Sequence, residues 1–199
     1  MKLLLIQIPT IKGREEQLAH LKKWILYQIR SNNIQGVDVA AYSDDKEISI
    51  GAKRQFFVEN CDYEYMVQID DDDVVAEDYI VKVVDALKEK PDCVGYLEEV
   101  CFDGVKKIAH HSSRWDDWKD NFEGWDYVRT IFCKDVIKTS IVKQIGFKDL
   151  RFGEDYDFAQ RLHASGLIKK EVFINEVMYY YEGHSLSEEQ KKERYGIKD

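Results

Sequence analysis

The sequence predicts an α/β fold in a single domain: a mostly parallel central sheet with helices on both faces and a small antiparallel hairpin in the second half. Three observations predict it. Strand-like and helix-like segments alternate through the first 90 residues, the pattern that builds a parallel, doubly wound sheet. The opening strand is a nearly continuous apolar run, as expected where both faces of a strand are covered. The later strand-like segments flank Asp103-Gly104, a dipeptide that closes tight hairpins.

Taken in order, residues 3–8 give the first strand, and residues 14–29 a helix whose Leu18, Leu21, Ile25 and Ile29 form one inward stripe. Residues 36–42 read as a strand, 49–60 as a helix and 65–69 as a third strand. The tract Asp70-Asp71-Asp72-Asp73 follows, then a helix over 78–88 ended by Pro91. In the second half, residues 93–102 and 105–110 form the hairpin, and 111–124, polar and rich in Trp and Asp, reads as a loop. Residues 128–133 read as a strand and 136–145 as a helix stopped by Gly146. A helix over 154–164 is stopped by Gly166, and 168–174 and 177–181 are apolar strands. Residues 1–185 thus make one domain in two halves divided near residue 90, followed by a charged tail over 186–199.

Bulk properties narrow the functional classes. A chain of 199 residues with 44% hydrophobic and 34% charged residues is an ordinary globular domain, and only two prolines punctuate it. The net charge of −9 argues against gripping nucleic acid, which needs a clustered positive face, yet it suits a nucleotide site that recruits a cation. The apolar start is too short to span a membrane, and no transmembrane segment is expected. Cys61, Cys93, Cys101 and Cys133 are scattered with no Cys-x-x-Cys pair, so they read as single core thiols in a reducing compartment. A cytoplasmic location follows as the expectation, in a cell or in the host cell of a virus.

Three places carry chemistry. The acidic tract sits where an apolar strand ends, and open parallel sheets bind ligands beyond the carboxyl ends of their strands. Crowded carboxylates raise one another's pKa or recruit a cation, and Asp70 and Asp72, alternate residues, share a side if the chain stays extended. Hard oxygens suit Mg²⁺ or Mn²⁺; the bland alternative is an exposed acidic turn at the start of the next helix. In Phe152-Gly153-Glu154-Asp155-Tyr156-Asp157-Phe158, helical spacing puts Asp155 on one side with Phe158, Ala159 and Leu162. A carboxylate there is costly unless partnered or used, whereas Asp157 and Arg161 suit a surface ion pair. His184, in Tyr181-Glu182-Gly183-His184-Ser185, is either structural or a nitrogen ligand to a metal.

At these places, from about residue 3 to 185, the chain resembles the family-two glycosyltransferases, whose fold is GT-A (Rossmann-like). The resemblance implies that residues 1–90 bind the nucleotide and 91–185 the acceptor. Pro9, Thr10 and Arg14 fall on the family's opening strand and turn against the nucleotide, and Lys53 and Arg54 on the basic segment near the donor. Asp70 and Asp72 match the paired acids of the Asp-x-Asp motif, with Asp71 beside the donor. By the same resemblance Asp72, Asp70 and His184 hold the metal. Asp155, with Glu154 beside it and Arg161 downstream, matches the acidic motif that supplies the catalytic base.

The second strand ends in Tyr42-Ser43-Asp44-Asp45 where the family has an Asp-Gly-Ser stretch, which leaves Asp44 or Asp45 for base recognition. No Gln-x-x-Arg-Trp motif follows the acidic motif, so a single addition is expected rather than polymerisation. The reaction implied is inverting transfer from a nucleotide-diphosphate sugar, UDP by default, to an acceptor hydroxyl of a glycan or glycoconjugate, with Mn²⁺ or Mg²⁺. Trp115, Trp118 and Trp125, with His111, are candidates for the acceptor wall, although tryptophans that merely anchor a long loop fit equally well. The competing readings are a metal-dependent phosphohydrolase or nuclease on the Asp70 to Asp73 cluster, a sugar nucleotidyltransferase, and a non-catalytic binding module.

Overall fold

The computed structural model describes residues 2–102 and 104–182. Strand β1 (Leu4–Ile11) leads into helix α1 (Glu15–Ser31), then β2 (Val37–Asp44), α2 (Ile50–Glu59), β3 (Tyr65–Gln68), the short β4 (Val74–Val75) and α3 (Tyr79–Leu87). The second half runs β5 (Cys93–Phe102), β6 (Val105–His111), β7 (Lys119–Phe122), β8 (Trp125–Arg129), β9 (Val136–Lys138), α4 (Thr139–Ile145), α5 (Glu154–Ser165) and β10 (Glu171–Glu182).

One mostly parallel central sheet takes the order β2-β1-β3-β9-β5-β6-β8-β7. β1 lies parallel to both β2 and β3, and β10 runs parallel along β5, with β4 added antiparallel to β10. β9 and β6 share the other edge of β5, both antiparallel to it.

Side chains alternate across the pleat, so one strand feeds two cores. Leu4, Ile6 and Ile8 of β1 pack with Tyr65, Val67 and Ile69 under α1 and α3, through Leu21, Trp24, Ile25, Ile80 and Val83. Leu5 and Met66 point the other way, to Val58 of α2, Ile141 and Val142 of α4, and Phe158 and Leu162 of α5. Both faces are covered, which is why these strands read as apolar runs. Pro9 fits in β1 because even-numbered residues of β1 donate to β2, as Leu4 and Lys12 do at either end. The donor that proline lacks would face β3, whose pairing ends at Gln7 and Gln68.

Several expectations are corrected. Residues 111–124 are not all loop: residues 119–122 form β7, turned onto β8 through Glu123 and Gly124, with φ of 47° and 82°. The strand expected at 128–133 begins at Trp125 and ends at Arg129. The helix expected at 136–145 starts at Thr139, because Val136 and Ile137 are bonded into the sheet between β3 and β5. The two strands expected over 168–181 are one, β10, with register shifts where Asn175 and Glu176 interrupt the apolar pattern. Asp103 of the hairpin, His184 and the tail from 186 lie outside the described residues. The four cysteines are buried and free.

Candidate active site

The site grows from the carboxyl ends of β1, β2 and β3. The Thr10 hydroxyl donates to Asp71 Oδ2 at 2.5 Å, and Arg14 Nη1 reaches Asp71 at 2.8 Å and Asp72 at 3.1 Å. Burial pushes the Asp71 carboxyl above its usual range, against the pull of Thr10 and Arg14. Lys53, expected near the donor, is 3% exposed and is spent on the Asp44 carboxylate and the Thr10 carbonyl, clamping the ends of β1 and β2 together. Asp45 stands apart in an exposed pair with Lys12 at 3.1 Å. Thr10, Arg14, Asp44, Lys53, Asp71 and Asp72 therefore gather at one sheet end.

Beside them opens a cleft of about 630 Å³ whose walls include Arg54, Asp70, Glu98, Trp118, Lys134, Glu154 and Asp155. α2 positions Arg54. Ser49 caps this helix by accepting from Ala52 N at 2.9 Å, and Gly51 lets it lie directly on the 148–150 backbone. A Cβ at residue 51 would stand 2.0 Å from the Lys148 carbonyl oxygen. From that helix the buried Arg54 guanidinium donates to Glu154 at 3.1 Å, to Gln68 at 3.2 Å and to Asp70 at 3.0 Å. Burial alone would raise the Asp70 carboxyl, but Arg54 and Lys134 outweigh it and hold it below its usual value.

Lys134 continues the chain of charges. Its ammonium lies 2.8 Å from Asp73, 3.6 Å from Glu98 and 3.8 Å from Asp70, over the rings of Tyr179 and Tyr181 at 4.6 Å each. Burial, with Asp70 and Asp72 nearby, pushes Asp73 up to about 7 against the pull of Lys134. Glu98 passes the network to His111 at 3.0 Å, which Asp135 holds from the other side at 3.2 Å. His111 therefore does not meet an acceptor at the surface as expected: it is 0% exposed, because β6, exposed at its start, is buried over its last three residues. Burial would lower its pKa, but Asp135 and Glu98 raise it to about 9.

Asp155 lines the cleft from the first turn of α5, where a helix N-terminus favours acids. Asp157 and Arg161 form the anticipated ion pair at 2.6 Å, and Arg161 also caps α4 through the Gly146 carbonyl at 2.8 Å. Of the three tryptophans only Trp118 lines the cleft. Its loop is pinned to α5 by Asp117, which accepts from Tyr156 and Gln160 at 2.9 Å each. Trp115 is 4% exposed and donates to His110 at 3.0 Å, so it anchors the loop instead of facing an acceptor. Trp125 packs on His110 at 4.7 Å. Glu98 and Lys134 were not singled out in the sequence; a charged pair inside each of two otherwise apolar stretches is the signal that marks them. Among the described residues no group of three His, Cys, Asp or Glu converges on a metal position, and His184 lies outside them.

A parallel sheet with acids at its strand ends, faced by a second acidic motif across a cleft, defines the GT-A class of α/β protein. The profile of glycosyl transferase family 2 matches residues 42–149, more than half of the chain, and the chain belongs to that family. Among solved structures it is similar to S. aureus TarS 1-349 in complex with UDP-GlcNAc, at 13% identity and TM-score 0.63, covering 93% of this chain and 60% of that one. For the same protein in complex with UDP the values are 14%, 0.62, 96% and 62%. A197 from STIV is similar at 17% identity and TM-score 0.50, covering 93% of this chain and 86% of that one. At these identities the likeness shows the fold, and the chain spans about three fifths of the TarS 1-349 chain. A comparison with curated protein sequences finds no match. No helix among the described residues is long and apolar enough to cross a membrane.

Proposed function

We propose that the chain transfers one sugar, a hexose or pentose, from a UDP-sugar to an acceptor hydroxyl of a glycan or glycoconjugate, by single displacement with inversion. The observation that carries this reading is that Asp70, at the end of β3, and Asp155, at the start of α5, line one cleft, with Arg54 bonded to both Asp70 and the neighbouring Glu154. The TarS structures that share the fold hold UDP-GlcNAc and UDP, which supports a uridine nucleotide here.

In this reading Thr10, Arg14, Asp44 and Asp71 receive the nucleotide, and the half-exposed Arg14 guanidinium faces its phosphates. The donor set suits a divalent cation. Six carboxyl groups, those of Asp70 to Asp73, Glu98 and Glu154, pair with four basic side chains, Arg14, Arg54, Lys134 and His111. That excess of negative charge, with hard oxygens on Asp70 and on the half-exposed Asp72, fits Mg²⁺ or Mn²⁺. Asp70 and Asp72 would hold the ion, with His184 the nitrogen ligand that family resemblance implies. When bound, the cation supplies charge neutralisation for the departing diphosphate.

Asp155 accepts the proton of the attacking hydroxyl, a contribution of about 10²–10⁴-fold for a positioned base. Arg54 keeps Glu154 and Asp70 in register. Alignment within the cleft supplies the remainder. Four buried free thiols accord with a reducing, cytoplasmic setting.

A thermal-shift panel of nucleotide sugars with and without Mn²⁺ tests the reading, since a ligand that binds only the folded state raises its stability. UDP-sugars should raise the melting temperature more when Mn²⁺ is present, and donor turnover should need an acceptor. A protein stabilised by no nucleotide sugar, or one that cleaves phosphodiesters without any acceptor, contradicts it.

A further inference from the structure

We propose that Glu98 and Trp118 bind hydroxyls of the sugar being transferred, so that they set which donor sugar is accepted; the inference rests on the nucleotide-sugar reading above. Glu98 is 6% exposed on β5 yet lines the cleft. Its Oε2 is fixed by His111 Nε2 at 3.0 Å, and His111 is itself fixed by Asp135 at 3.2 Å, so the carboxylate cannot turn freely. The other oxygen, Oε1, is buried and receives no hydrogen bond among the described residues. Lys134 Nζ lies 3.6 Å from it, beyond hydrogen-bond reach. Burial favours the neutral acid, but Lys134 and His111 hold the Glu98 carboxyl below its usual range, so this oxygen is an acceptor only.

Buried polar atoms are nearly always bonded, and an orphaned carboxylate oxygen on a cleft wall marks where a ligand donor belongs. Trp118 Nε1 is a second orphan: a buried donor with no acceptor among the described residues, on a ring that also lines the cleft. Phe132, also on the cleft wall, has its ring 5.0 Å from that of Trp118 and 5.0 Å from that of His111, the residue that fixes Glu98. An acceptor, a donor and an aromatic floor together suit a pyranose or furanose, with two hydroxyls and one apolar face. A phosphate does not fit, because the ionised Glu98 repels it. Glu98 adjoins Lys134, which bonds Asp73 of the acidic tract, and this places the pair on the donor side.

The same chemistry fits a sugar of the acceptor, so the experiment has arms for both. Calorimetric titration of the wild type, Glu98→Gln and Trp118→Phe uses UDP, UDP-GlcNAc, UDP-glucose and UDP-galactose with Mn²⁺, then methyl glycosides of the same sugars added to the UDP-saturated proteins. The wild type should bind at least one UDP-sugar more tightly than UDP. Each variant should lose about 10-fold of that preference while UDP affinity, which also reports intact folding, stays within about 2-fold. Unchanged UDP-sugar preference in both variants overturns the proposal. So does a loss confined to the methyl glycosides, which assigns the subsite to the acceptor, or an equal loss for UDP and UDP-sugar, which makes the residues structural. A wild type that binds none of the nucleotides fails the nucleotide-sugar reading itself, a separate and visible outcome.

Discussion

Arg54 and Glu154, separated by 100 residues of chain, meet at 3.1 Å beneath the cleft, and the same guanidinium holds Asp70 at 3.0 Å. One buried cation thus links the acidic tract to the helix that carries Asp155. The geometry requires α2 to lie against both the third strand and the start of α5.

Removing the linking cation should be severe. Arg54→Met leaves Asp70 and Glu154 without their shared partner, and breaking a buried pair in this way costs about 3–5 kcal/mol. Urea unfolding should show a loss of that size, together with lost turnover. Wild-type stability in this variant would mean that the network does not hold the site.

Packing of α2 makes a second, purely steric prediction. An alanine methyl at residue 51 would stand 2.0 Å from the Lys148 carbonyl oxygen and 2.8 Å from Leu150 N. Gly51→Ala should push the helix off this backbone and cost about 1–3 kcal/mol of stability, as overpacking does. Differential scanning calorimetry reads it directly; an unchanged melting temperature would show that the two segments are not in contact.

The buried histidine predicts a pH dependence with a definite sign. Its folded pKa of about 9 lies above the ordinary 6.5. The stabilisation from the charged ring is then complete below about pH 6.5 and is lost as pH rises through about 9. His111→Gln should therefore be less stable than the wild type by a few kcal/mol near pH 6, and the gap should shrink by about pH 9.5. Urea midpoints at the two pH values decide it, and a gap that grows with pH would contradict the buried Glu98–His111–Asp135 arrangement.

Much of this was legible in the sequence, for reasons that also explain the rest. Four charges at the end of an apolar strand break a pattern, so the Asp70 to Asp73 tract stood out; helical spacing set Asp155 beside Phe158 and Leu162, whereas the acid buried with them is its neighbour Glu154. Glu98 was harder to read: the pair Glu98-Glu99 interrupts an apolar stretch, but alternation alone cannot say which of the two faces water. His111 misled for the same reason. Adjacent residues on a strand diverge, but here Phe173 covers the ring of His110 and Tyr96 that of His111, so neither is exposed. β7, Lys119–Phe122, carries no apolar alternation and exists because β8 pairs with it at the sheet edge. Trp115 and Trp118 look alike in sequence, and only the fold separates the anchor from the residue that lines the cleft.

In the proposed mechanism Asp155 takes the proton of the attacking hydroxyl in the cleft that Asp70 also lines. Asp155→Asn should bind UDP and UDP-sugar as the wild type does by calorimetry while its transfer rate falls by about 10²–10⁴-fold. Transfer at the wild-type rate by this variant would contradict the account.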